Sequence, residues 1–191
     1  MQIEVVIAGS GGQGVLLAGT LMAQAAIERG LHTTWFPSYG AEMRGGTANS
    51  TVVVSSDEIG SPFAFNPNTL VALNESSLDK FMPVMIDEAV IIANSSVISQ
   101  NKRYRIKPYF VPAADIASKE IKNIRTTNMV SIGALIKALE IRRINAERQT
   151  NNEKNLTLKN VLSACEKAFD LKSQLIEVNK KAILAGYDFI K

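Results

Sequence analysis

The run Gly9-Ser10-Gly11-Gly12-Gln13-Gly14 is the part of this sequence best suited to chemistry. It stands between an apolar, β-branched stretch and a helical pattern. Glycines let a backbone turn sharply and let a ligand come close to it. The helix that follows offers its unpaired first amides and the positive end of its dipole to a phosphate. The spacing predicts a site for a phosphate-bearing ligand; the alternative is a tight strand-to-helix turn that holds nothing. A dinucleotide reading lacks one part. It expects an acid near the end of the second strand, about 20 residues past the glycines, to hold the ribose. Thr33-Thr34-Trp35-Phe36-Pro37-Ser38 contains none, which ranks NAD or FAD below a different phosphate ligand.

A second constellation runs from Pro37 to Asn49, Pro-Ser-Tyr-Gly-Ala-Glu-Met-Arg-Gly-Gly-Thr-Ala-Asn. It is glycine-rich and has no helix or strand period. If the sheet is parallel, this loop leaves the carboxyl end of the second strand beside the first glycine loop. That edge is where open α/β sheets bind ligands. Arg44 could grip a phosphate or carboxylate with two parallel hydrogen bonds, and Gly45 and Gly46 would leave it room. The alternative for Arg44 is an ion pair with Glu42 or with a partner subunit.

The elements that would position these loops follow from pattern. Ile3–Ala8 reads as a buried parallel strand. Val15–Arg29 reads as a helix with Leu17, Leu21 and Ala25 on one face and Gly30 as its stop. Thr33–Phe36 should be the second strand, ended by Pro37. Further strands are expected at Thr51–Ser55, Thr69–Leu73, Ala89–Ala93 and Ile106–Val111, the last at an edge because of Pro108. Asn128–Ile141 reads as a helix. Gln149–Asn155 is polar and unpatterned, a linker or loop tip. Beyond it Leu158, Leu162, Cys165 and Phe169 fall at helical spacing, with Leu175, Val178 and Leu184 extending the stripe. The expected architecture is one α/β domain over 1–191, with a helical C-terminal segment at 156–191. It is three-layer α/β/α with a mostly parallel sheet and a Rossmann-like opening βαβ unit.

Composition removes several functions. Of 191 residues, 46% are hydrophobic and 20% charged, so a packed core is feasible and disorder is not expected. A net charge of +3, evenly spread, does not point to nucleic acid. Met1–Glu4 lacks the basic start of a secretory leader, and no apolar run is long enough to span a bilayer. The expected compartment is the cytoplasm, with no membrane partner. One cysteine, Cys165, and one histidine, His32, cannot supply an internal disulfide, a cluster or a structural zinc site. Cys165 lies on an apolar stripe and reads as a packed thiol. His32 reads as a surface residue, and Trp35 as core or interface. Lys102-Arg103-Tyr104-Arg105 reads as a solvated loop, with binding of an acidic ligand the lesser alternative.

Gly9–Val15 together with Trp35–Asn49 resembles the gamma subunits of 2-oxoacid:ferredoxin oxidoreductases, most of all those of the 2-oxoglutarate type. The similarity continues through Gly60-Ser61-Pro62, Leu78-Asp79-Lys80-Phe81, Asn94-Ser95-Ser96, Asn128-Met129 and Asn179–Gly186, and so covers nearly the whole chain. The resemblance implies an enzyme that converts a 2-oxoacid and coenzyme A to acyl-CoA and CO2, passing electrons to ferredoxin. It implies thiamine diphosphate between alpha and beta subunits and iron–sulfur clusters in beta or delta subunits. The gamma part would bind no cofactor alone and have no catalytic residue. It would help hold coenzyme A, as co-substrate, and pack the assembly. The coenzyme contacts implied are Gly9, Ser10, Gly11, Gly12, Gln13 and Gly14 in the first loop. In the second they are Tyr39, Glu42, Arg44, Gly45, Gly46 and Asn49. The isolated chain is expected to self-associate without catalysing the reaction. Branched-chain 2-oxoacid, pyruvate and indolepyruvate enzymes have related small subunits. A stand-alone nucleotide-binding oxidoreductase and a purely structural assembly subunit are the alternatives of different class.

Overall fold

The computed structural model describes residues 2–38, 47–146 and 155–191. Its centre is a six-stranded sheet in the order β2-β3-β1-β4-β5-β6. The strands are β1 (Gln2–Ser10), β2 (His32–Ser38), β3 (Thr47–Ser55), β4 (Thr69–Ala72), β5 (Val90–Asn94) and β6 (Tyr109–Val111). β1, β4, β5 and β6 pair in parallel, whereas β3 pairs antiparallel with both β1 and β2. Five strands therefore point one way and β3 alone runs back.

Alternation along β1 shows why the sheet needs cover on both sides. Ile3, Val5 and Ile7 join one apolar cluster and Val6 and Ala8 the other, as a two-residue side-chain period requires. The first cluster is closed by the long helices α1 (Val15–Glu28), α4 (Thr127–Ala146), α5 (Leu158–Ala168) and α6 (Ser173–Phe189). The second is closed by α2 (Glu75–Phe81) with Met82, Met85, Ile98 and Ile106. A single turn, α3 (Ala113–Asp115), continues as a π-helical stretch over Ile116–Glu120 and leads to α4. The three-layer α/β/α expectation holds. No helix among the described residues is long and apolar enough to cross a membrane.

The opening unit differs in one respect from an uninterrupted βαβ. β1 and β2 are parallel in direction but not neighbours, because β3 inserts between them. Val52, Val53 and Val54 of β3 are all buried, the signature of a strand covered on both faces. β2 also runs through Pro37 to Ser38 rather than stopping before it. It can do so because it is an edge strand, where a missing N–H costs least. β6 is the other edge, as Pro108 suggests.

Two apolar stripes also differ from expectation. In α1, Leu21 and Ala25 are buried but Leu17 is 36% exposed. In the C-terminal helices the buried residues are Val161, Ala164 and Cys165, then Asn179, Ala182, Ile183 and Gly186. Leu184 faces out. For α6 the reason is close packing against α4. A Cβ at Gly133 of α4 would lie 1.9 Å from the Ile183 carbonyl oxygen, and one at Gly186 would lie 1.8 Å from that of Val130. Backbones this near leave room for small residues, not for a leucine ridge. Of the expected linker, residues 149–154 lie outside the described residues and Asn155 is buried.

Candidate functional site

The parallel register places the ends of β1, β4, β5 and β6 on one edge of the sheet. The antiparallel register adds two more chain segments there. Ser10 faces Thr47, the first residue of β3, and Ser38, the last of β2, faces Asn49. The glycine turn and both anchors of the second loop therefore share the carboxyl edge. Tyr39, Glu42, Arg44, Gly45 and Gly46 lie outside the described residues.

The turn itself is tied down. Gly12 and Gly14 have φ of 87° and 71°, in the left-handed region that favours glycine. Gly14 also has no room for a side chain, since a Cβ would sit 2.5 Å from Asn128 Nδ2. Around Gly12, by contrast, nothing lies within 4 Å of such an atom. The outer side of the turn is open. The inner side is bound by Gln13, whose Oε1 accepts from the Ser10 amide at 2.6 Å, while its own amide donates to Ser10 O at 3.2 Å. Gln13 is thus a brace, and Gly9 must lack a side chain to admit it, because a Cβ there would meet Oε1 at 2.6 Å.

Three asparagines on the same edge complete the support. Asn74, just past β4, donates through Nδ2 to Ser10 Oγ at 2.7 Å and to Gln13 Oε1 at 3.4 Å. Its Oδ1 accepts from the Ser77 amide at 2.9 Å and caps α2. Asn94, ending β5, donates to Leu73 O at 3.2 Å and accepts from the Ala114 amide at 3.2 Å. Asn128, in the first turn of α4, donates to Gly14 O at 3.0 Å. Asn74 was not among the sequence candidates. Its signal was there: Asn followed by Ser three residues on, after an apolar strand, is an N-cap pattern.

Other singled-out residues fall away from this edge or into the framework. His32 starts β2 at the opposite end and is exposed. Trp35 is not core: it stays 40% exposed, with Nε1 donating to Ser50 Oγ at 3.0 Å. Cys165 is fully buried, and burial pushes its thiol up to about 11. Two residues of the basic run pair with carboxylates of this chain. Lys102 pairs with Glu75 and lies 3.6 Å from Asp79, and Arg105 pairs with Asp87. The Lys102 bond, with help from the Ser99 amide, holds the Glu75 carboxyl below its ordinary range. Asn49 lies in β3 opposite Ala8.

The chemistry this edge supports is binding. The side chains fixed to the turn, Ser10, Gln13, Asn74 and Asn128, are all neutral. The first turn of α1 has amides with no intrahelical acceptor, and its N-cap, Gly14, makes no side-chain cap. Such an end suits an anion.

The family model described as pyruvate ferredoxin/flavodoxin oxidoreductase matches residues 4–189. The ketoisovalerate oxidoreductase subunit VorA of Methanothermobacter marburgensis is 35% identical over 190 residues, which is all of this chain but 37% of the relative. The chain thus spans a little over a third of the VorA sequence that it matches. The 2-oxoglutarate synthase subunit KorC of Methanocaldococcus jannaschii is 33% identical over 144 residues, 74% of this chain and 77% of the relative. Among solved structures, the gamma subunit of a keto/oxoacid ferredoxin oxidoreductase from Geobacter sulfurreducens has a TM-score of 0.78. It covers 97% of this chain and 96% of its own, at 23% identity, and so shares the fold. The glycine turn, the mixed sheet and a family match over residues 4–189 lead to one conclusion: this chain belongs to the pyruvate ferredoxin/flavodoxin oxidoreductase family.

Proposed function

We propose that this chain is the gamma subunit of a 2-oxoacid:ferredoxin oxidoreductase and contributes coenzyme A contacts and assembly surfaces to it. The enzyme converts a 2-oxoacid and coenzyme A to acyl-CoA and CO2 and reduces ferredoxin. Thiamine diphosphate and the iron–sulfur clusters belong to alpha, beta and, where present, delta subunits in the cytoplasm. The observation that carries the reading is the braced turn at Ser10–Gly14. It is open outside Gly12 and shares an edge with the anchors of the loop that contains Arg44. Coenzyme A carries a pyrophosphate and a 3′-phosphate, which want amide donors and positive charge. No acid stands at the end of β2, and one there would repel the 3′-phosphate.

The sequence resemblance favours 2-oxoglutarate as the acid. Relatives named for ketoisovalerate and for 2-oxoglutarate match at similar identity, which supports placing the choice of acid in the partner subunits. The test is co-expression with thiamine-diphosphate-binding partners, followed by assay of ferredoxin reduction with 2-oxoglutarate, 2-ketoisovalerate, pyruvate and indolepyruvate. The expected result is activity dependent on coenzyme A and on this chain. Full activity without the chain, or ferredoxin reduction by the chain alone, would contradict the proposal.

A further inference from the structure

We propose that Asn74 is a positioning residue: from the end of β4 it locks the Ser10–Gly14 turn in the conformation that presents its amides to the ligand. The inference rests on the reading of that turn as a coenzyme A contact.

A glycine-rich turn is a poor platform unless something fixes it, because glycine has the most backbone freedom to lose. Three of its five residues here are tied by side chains. Ser10 and Gln13 are held to each other and Gly14 to Asn128. Gly11 and Gly12 are exposed and Gly12 has open space beside it. The fixed half of the turn therefore sets where the free half points.

Asn74 joins that half to the start of α2 with both polar atoms of its carboxamide. The Ser77 amide fixes which end of its carboxamide is oxygen, since an N–H must meet an acceptor. Nδ2 is then directed at Ser10 Oγ and Gln13 Oε1. Gln13 Oε1 is likewise identified by the Ser10 amide that donates to it. One side chain thus caps α2, holds the serine that ends β1 and holds the glutamine that braces the turn. A shift of α2 or β4 reaches the glycine turn through this residue.

The two jobs of Asn74 can be separated. Serine also caps helices well, so Asn74→Ser keeps an acceptor for Ser77 but cannot reach Ser10 and Gln13. Gln13→Ala cuts the same network from the other side, and serves if Asn74→Ser does not fold. Two readouts are needed. The first is hydrogen exchange of the peptide spanning Ser10–Val15 in the purified protein without ligand. Exchange should quicken about fivefold, the effect of losing one neutral hydrogen bond. The second is steady-state kinetics of the assembled enzyme. KM for coenzyme A should rise by a similar factor and by more than kcat falls, with KM for the 2-oxoacid holding. Unchanged exchange overturns the proposal whatever the kinetics. Faster exchange with a flat coenzyme A KM, while Arg44→Ala raises that KM, also overturns it. Faster exchange with KM flat in both variants supports the lock and removes the coenzyme reading of the turn.

Discussion

Gly133 and Gly186 are reciprocal contacts: each leaves space for a backbone carbonyl near its partner on the other helix. A Cβ on either would fall within 2 Å of Ile183 O or Val130 O respectively. Gly186→Ala should therefore destabilise the fold by at least about 2 kcal/mol, although alanine is the better helix former. In a chain of this size the midpoint of thermal unfolding should fall by roughly 4–8 °C. A neutral or stabilising result would mean that α4 and α6 pack less closely than described.

The glycines of the turn should respond unequally. Gly12→Ala meets open space and pays only for its left-handed backbone, about 1–2 kcal/mol. Gly14→Ala pays that and also displaces Asn128, for a cost of about 2–4 kcal/mol. Denaturant unfolding of the two variants should keep this order.

Arg44→Ala tests the second loop. If Arg44 makes one charged hydrogen-bonded contact with coenzyme A, its loss of about 1.5 kcal/mol raises KM for coenzyme A roughly tenfold. KM for the 2-oxoacid should barely move. An equal loss for both substrates would instead assign Arg44 to holding the subunits together.

Cys165 sets a pH dependence. Burial raises its thiol to about 11 in the fold, from the ordinary value of 9.0 that the unfolded chain keeps. Above that value the unfolded chain releases a proton that the native chain keeps, so stability falls as pH rises through about 9 to 11 and then levels. The loss is about 2–3 kcal/mol. The difference between the protein and Cys165→Ala, followed by denaturant unfolding at pH 8 and pH 11, isolates it from other groups. In the native protein the thiol should also resist Ellman's reagent and react once unfolded.

What the sequence made legible was the part governed by local pattern. The β1 run, the glycine turn and α1 follow from apolar runs, glycine and a helical period within a few residues. The insertion of β3 between β1 and β2 does not, because pairing order depends on where residue 47 lands after a loop without periodicity. Pro37 pointed to a stop since proline usually breaks a ladder, and only the edge position of β2 lets the strand continue. Hydrophobic spacing points to Leu184 on the buried stripe of α6, but Gly133 and Gly186 set the contact by being small and Leu184 faces out. Of the site, the glycines were visible as a motif. Asn74 was not, because its partners Ser10 and Gln13 are more than sixty residues away.

The two rims of the sheet bear on how this chain meets its neighbours. An unpaired strand is a template on which another chain can lay down a strand of its own. One rim, β2, carries Pro37, which has no N–H to give. The other, β6, is only three residues long. Neither offers a full ladder, so growth of the sheet from molecule to molecule is discouraged at both ends. Contacts with another protein are then expected through side chains on the helical faces or the loop-bearing edge, where recognition depends on shape and residue type rather than on the backbone common to all proteins.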